Sequence, residues 1–88
     1  MQNINYKIDD STVLITGSGT LATQAVATLK DRCKKVIIYS RDEHKRRKLR
    51  DKFGNQKNIR YILGDIRDKN GLSFALRGVD ICLHTAAL

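Results

Sequence analysis

Apolar residues gather into four short runs along this chain, and between the runs their spacing turns from continuous to helical. Val13-Leu14-Ile15, Val36-Ile37-Ile38-Tyr39, Ile59 to Leu63 and Ile81-Cys82-Leu83 are brief and rich in β-branched side chains, so they predict strands over 12–16, 36–39, 59–63 and 80–84. The first run is apolar on both faces, as a central parallel strand requires. After it, Leu21, Ala22, Ala25, Val26 and Leu29 recur at the 3.6-residue period. Thr23, Gln24, Thr28 and Lys30 fall opposite them, which predicts a helix over 20–31 with the five apolar residues inward. A second helix over 43–52 has only Leu49 and Phe53 as an i,i+4 apolar pair, so its inner stripe is narrow. Residues 54–58 form a turn cluster. Asp68 is placed to cap a third helix, whose Leu72, Ala75 and Leu76 point inward and whose end Gly78 marks.

Strands alternating with helices predict an α/β fold, a parallel sheet with right-handed crossovers. In the doubly wound order the four strands stand 3-2-1-4 with three helices, a partial Rossmann fold. Residues 1–11 read as a lead-in and 12–88 as the N-terminal part of a dinucleotide-binding domain. The chain stops four residues after the fourth strand. The expectation is a half-domain truncated there, with Ile81, Cys82 and Leu83 on an open edge. A complementing chain or a second copy would add to that edge.

With 88 residues there is room for one domain, which buries only about 60–65% of the surface of its unfolded chain. No run approaches the ~18 apolar residues of a membrane span, and Met1 to Asp10 lacks the apolar core of a secretory signal. A cytoplasmic protein is the expectation. Cys33, Cys82, His44 and His84 show no zinc spacing. Cys82 lies in an apolar run and is expected in the core. Cys33, beyond a helix end, is expected to be partly exposed. The formal charge of +8 concentrates between Arg41 and Lys52, where seven Lys/Arg face three acids. Such a segment attracts phosphate of any kind, nucleic acid included, or forms a solvated helix face. Aromatic residues are sparse around it, with only Tyr39, Phe53 and Tyr61 nearby, which counts against nucleic acid as the partner.

The first strand runs into Gly17-Ser18-Gly19-Thr20-Leu21-Ala22, a Gly-x-Gly-x-x-Ala turn that opens the first helix. In a βαβ unit Gly17 makes the tight turn, Gly19 lets backbone approach a pyrophosphate, and Ala22 allows close helix–strand packing. Backbone N–H groups from Ser18 to Leu21 would hold the phosphates; the alternative is a plain strand-to-helix turn. Where an NAD site places an acid, the second strand ends in Tyr39-Ser40-Arg41, with Lys45 a helical turn beyond. A hydroxyl followed by a guanidinium suits the 2′-phosphate of NADP better than the free ribose of NAD. Asp42 either reaches the ribose or caps the second helix. After the third strand, Asp65 is placed to accept from an adenine amino group while Ile66 packs on the ring; a turn role is the alternative. Thr85, Ala86 and Ala87 bring small residues past the ribose. His84 reads as a structural histidine rather than a catalytic one.

Ile15-Thr16-Gly17, Ile37-Ile38-Tyr39-Ser40-Arg41-Asp42-Glu43, Gly64-Asp65-Ile66-Arg67-Asp68, Gly78-Val79-Asp80 and His84-Thr85-Ala86-Ala87-Leu88 occur in that order. With their intervals, they resemble the UDP-N-acetylglucosamine 4,6-dehydratases of capsule and flagellin-glycan biosynthesis, extended short-chain dehydrogenase/reductase enzymes. The resemblance implies NADP contacts at Ser18, Gly19, Thr20 and Leu21, at Ser40, Arg41, Asp42 and Lys45, at Asp65 and Ile66, and around Thr85. It implies a UDP-sugar as substrate of the complete enzyme. This chain's glycine turn is one residue shorter than the family's, with Ala22 for its last glycine, and Thr85 stands where the family favours alanine. The family's Tyr-x-x-x-Lys pair is absent: Tyr6, Tyr39 and Tyr61 are followed four residues on by Asp10, Glu43 and Asp65. No catalytic or metal-ligating residue is therefore assigned, and the chain alone is not expected to be a competent lyase.

Overall fold

A computed structural model describes residues 8–86. Four strands, β1 (Thr12–Thr16), β2 (Lys35–Ser40), β3 (Ile59–Leu63) and β4 (Ile81–His84), form one parallel sheet in the order β3-β2-β1-β4. Between them run α1 (Thr20–Leu29), α2 (Glu43–Phe53) and α3 (Lys69–Ala75), and a short 3₁₀ turn over Ile8–Asp10 precedes β1. The strand order and the helix count match the expectation from the apolar pattern. Within the lead-in, residues 1–7 lie outside the described residues, as do Ala87 and Leu88.

β1 is buried on both faces because β2 and β4 flank it and helices cover it above and below. Val13, Leu14 and Ile15 have essentially no exposed surface. Val13 and Ile15 share one face with Val36 and Ile38. Against that face pack Ala22 and Val26 of α1 and Leu49 of α2. Leu14, Ile37 and Tyr39 share the other face, against which α3 packs through Ala75 and the partly buried Leu72, with Ile66 and Val79 from the flanking loops. Fully burying a Val, Leu or Ile side chain contributes roughly 1.5–3 kcal/mol. The α1/α2 face, with the larger cluster, therefore carries more of the stabilisation.

Several expectations need correcting. α1 ends at Leu29 rather than at residue 31, and α3 ends at Ala75, short of Gly78. Leu21 is 65% exposed and Leu76 is exposed, although both keep the apolar spacing. Leu21 sits in the first turn of α1, whose buried side is the one that carries Ala22 and Val26. The cysteines exchange places. Cys33 is buried with the α1/α2 face, because the loop after α1 folds back over the core, and burial pushes its thiol pKa up. Cys82 is exposed because it lies on the edge strand β4, on the face that α3 leaves partly open. Leu83 is 37% exposed, and no strand among the described residues pairs with the outer edge of β4. No helix among the described residues is long and apolar enough to cross a membrane.

Candidate functional site

All four strands deliver a loop to the same end of the sheet, and those loops enclose a cleft of about 420 Å³. Crevices at the carboxyl ends of parallel strands, where strand order reverses about β1, are where open α/β sheets bind ligands. The parallel hydrogen-bond ladder continues past the strands and fixes each loop. Gly17 N donates to Tyr39 O at 2.8 Å, Gly64 N to Ser40 O at 2.9 Å and Thr85 N to Thr16 O at 3.0 Å.

The loop after β1 forms the floor of the cleft. Gly17 has φ +102°, and a Cβ there would lie 2.6 Å from Thr85 Oγ1 and 3.0 Å from Ala86 N, so the position admits only glycine. Gly19 is the N-cap of α1 and lines the cleft, and a Cβ on it would meet nothing within 4 Å. No side chain caps α1. The other two helices are capped: Asp42 accepts from Lys45 N at 3.0 Å and Asp68 from Asn70 N at 3.2 Å. Among the α-helices of the described residues, only α1 thus presents a bare, partially positive N-terminus, and Gly19 at its head lines the cleft.

The loop after β2 supplies one wall. Ser18 and Ser40 are both buried, their hydroxyls 2.7 Å apart, and Asp42 N donates to Ser40 Oγ at 3.1 Å. This link ties the glycine turn to the wall that carries Arg41 and Lys45. Asp42 takes the capping role of the two anticipated, and the Lys45 N–H holds its carboxyl below the usual range.

The loop after β3 forms the opposite wall, resting on a residue the sequence pattern did not single out. Tyr39 is 2% exposed, and its hydroxyl donates to Asp65 O at 3.1 Å. Its ring lies so close under Gly64 that a Cβ there would stand 2.5 Å from it. Burial raises the Tyr39 pKa, so the hydroxyl stays protonated as a donor. Asp65 accepts from Arg67 four times: from the backbone N at 2.9 Å, from Nε at 3.1 and 3.2 Å, and from Nη2 at 2.8 Å. Arg41 Nη1 stands 3.8 Å from Asp65 Oδ2. These contacts, Arg67's first, hold the Asp65 carboxyl at about 2, so it is ionised at any physiological pH. Ile66 packs against the Leu14 and Tyr39 cluster while also lining the cleft.

At the end of β4, His84 Nδ1 lies 2.7 Å from Thr16 Oγ1, a structural bond between strand ends. Thr85 donates through Oγ1 to Thr16 O at 2.5 Å and closes the cleft together with Ala86. Ala87 lies outside the described residues.

The cleft brings together Gly17, Ser18, Gly19, Ser40, Arg41, Asp42, Lys45, Asp65, Ile66, Thr85 and Ala86 from positions up to 69 residues apart. Thr20 and Leu21 stay outside its wall, in the first turn of α1. Tyr39, Gly64 and Arg67 join it without having been anticipated. The Asp-x-Arg spacing, which lets an Asp side chain bond two residues onward, is the signal that marks Arg67. No group of three or more His, Cys, Asp or Glu among the described residues is placed to hold a metal ion. Chemically, the cleft is a binding groove with a bare helix N-terminus at its floor and guanidinium and ammonium groups at its rim.

A parallel sheet in the order 3-2-1-4, with a glycine turn at the head of α1, defines a Rossmann-like α/β module. The chain belongs to the polysaccharide biosynthesis protein family, whose model matches residues 13–88. It is 43% identical over 79 residues to a UDP-N-acetylglucosamine 4,6-dehydratase (inverting) of Campylobacter jejuni, covering 86% of this chain and 23% of that protein. It is 38% identical over 86 residues to a UDP-glucose 4-epimerase of Rickettsia bellii, covering 90% of this chain and 25% of that protein. The X-ray structure of Pen from Bacillus thuringiensis superposes with a TM-score of 0.85 at 32% identity, over 92% of this chain and 26% of that one. The chain therefore spans about a quarter of the length of the relatives it matches.

Proposed function

We propose that this chain is the NADP-binding, N-terminal part of a nucleotide-sugar 4,6-dehydratase of polysaccharide biosynthesis. The observation that carries this reading is the placement of two anion-receptive features in one cleft. The uncapped N-terminus of α1 lies at the floor, and Arg41 and Lys45 stand at the rim beside the buried Ser18–Ser40 pair. NADP carries a pyrophosphate and a separate 2′-phosphate, which match these two features. NAD lacks the second phosphate and leaves Arg41 with only the 3.8 Å approach to Asp65, beyond hydrogen-bond reach. Gly19 would take the pyrophosphate, Ser40, Arg41 and Lys45 the 2′-phosphate, Ile66 the adenine, and Thr85 and Ala86 the ribose. A nicotinamide dinucleotide supplies hydride acceptance and return; the residues of this chain bind and orient it.

Dehydratase is preferred to epimerase because the match to the dehydratase has the higher identity, 43% against 38%. The UDP-sugar and the proton-transfer groups belong to the remainder of a complete enzyme, since this chain holds no Tyr-x-x-x-Lys pair. The test is a thermal melt of the 88-residue chain by circular dichroism, with and without NADP or NAD. A ligand at ~100 times its dissociation constant stabilises the folded form by about 2.7 kcal/mol, which in so small a domain moves the midpoint by about 10 °C or more. The expected result is a larger shift with NADP than with NAD. Equal shifts would remove the 2′-phosphate assignment, and no shift with either would remove the dinucleotide reading. Turnover of UDP-N-acetylglucosamine by the 88-residue chain alone would contradict its dependence on further residues.

The outer edge of β4, with Cys82 and Leu83 exposed beside it, favours a second reading: a module that associates by adding a parallel strand there. Light scattering that shows only monomer at high concentration would rule this out.

A further inference from the structure

The cations at the rim of the cleft are not equivalent. Arg67 meets the Asp65 carboxylate with its backbone N–H, Nε and Nη2, all within 3.2 Å. Arg41 stands off from the same carboxylate at 3.8 Å, beyond hydrogen-bond reach, with 63% of its side chain exposed. The other carboxylate in the wall, Asp42, has Oδ1 committed to capping α2. Asp65 is therefore the anion that would compete with a ligand for Arg41, and Arg67 already occupies it.

We propose that Arg67 is a positioning residue that sets the preference of the cleft for a ligand carrying an additional phosphate: by holding Asp65, it leaves the Arg41 guanidinium free to pair with that phosphate. The inference rests on the reading that Arg41 meets the 2′-phosphate of NADP. A guanidinium forms a two-pronged bond with one planar anion at a time, so a carboxylate that captures Arg41 excludes the phosphate. Without Arg67, the ionised Asp65 has Arg41 as its remaining ion-pair partner among the described residues, and the two close on each other. The pair is solvent-exposed, which keeps the effect moderate. Loss of Arg67 therefore costs less than loss of Arg41 itself.

The experiment measures dissociation constants for NADP and NAD by titration calorimetry on the 88-residue chain and its R41A, R67A, D65N and D65N/R67A variants. The ratio of the two constants isolates the 2′-phosphate and is insensitive to general loosening of the cleft. R67A is expected to lower the preference for NADP about fivefold, the scale of one exposed ion pair. D65N/R67A is expected to restore it, and D65N alone to keep or raise it. If R41A leaves the ratio unchanged, the 2′-phosphate reading fails, and this inference with it. If R41A lowers the ratio and R67A does not, only the role of Arg67 fails. If R67A lowers it and D65N/R67A does not recover, Arg67 touches the ligand directly, and the positioning role is wrong. Should R67A give no cooperative melt, D65N decides: a fall in NADP preference overturns the proposal.

Discussion

Replacing Arg41 by alanine is expected to weaken NADP binding about thirtyfold while changing NAD binding less than about threefold. A charge-assisted hydrogen bond contributes ~1.5–3 kcal/mol, and every 1.4 kcal/mol is tenfold in affinity. Arg41 is largely exposed, so water competes for it, and Lys45 remains nearby to attract the phosphate. Both facts hold the loss to the lower part of that range. The fold should not suffer, because among the described residues the only ion-pair contact of the Arg41 side chain is the 3.8 Å approach to Asp65. Arg41→Lys should fall between the two, since an ammonium keeps the charge but not the two-pronged geometry. Titration calorimetry with both cofactors reads the result. A parallel loss for NADP and NAD would mean that Arg41 supports the cleft in general and does not distinguish the two.

The strand order and the three helices were legible because β-branched runs and helical spacing alternate without ambiguity, and because Asp42 and Asp68 stand where caps belong. The cleft was legible at the four loops, since each follows a strand end and carries glycine, hydroxyl or charged residues. What escaped depended on the third dimension. Leu21 has the apolar spacing of an inward residue, yet α1 buries Ala22 and Val26 and leaves Leu21 in solvent. The two cysteines read in reverse, because local apolarity says nothing of a loop folding back over Cys33 or of β4 lying at an edge beside Cys82. Tyr39 looked like one more apolar strand residue. Only the register shows its ring under Gly64 and its hydroxyl on the Asp65 carbonyl, which makes it the post on which one wall of the cleft stands. Arg67 lies in a solvated stretch, and its role depends on the direction of the Asp65 side chain, which spacing alone leaves open.

Two glycines two residues apart should respond in opposite ways to the same substitution. Gly17→Ala puts a side chain at φ +102°, in a region that costs a non-glycine residue about 1–3 kcal/mol. It also drives a Cβ to 2.6 Å from Thr85 Oγ1 and 3.0 Å from the Ala86 backbone, and overpacking of that kind costs another ~1–3 kcal/mol. The Thr85 hydroxyl cannot easily yield, because it is bonded to Thr16 O. A domain of this size has total stability on the order of 5–13 kcal/mol, so the melting midpoint should fall by more than about 10 °C, or the cooperative melt should vanish. Gly19→Ala should melt like the parent or slightly higher. Its φ of −84° suits any residue, its Cβ meets nothing, and alanine lowers the entropy of the unfolded chain. That same Cβ fills the space at the mouth of the uncapped helix, where a pyrophosphate must approach the backbone. Gly19→Ala should therefore weaken NADP and NAD alike, by about tenfold or more, with the ratio between them unchanged. An unaltered affinity would place the phosphates elsewhere than at α1, and a wild-type melt for Gly17→Ala would mean that the turn is not built as described. Together with Arg41→Ala, the pair separates the two phosphate sites: one variant shifts both affinities, the other shifts only their ratio.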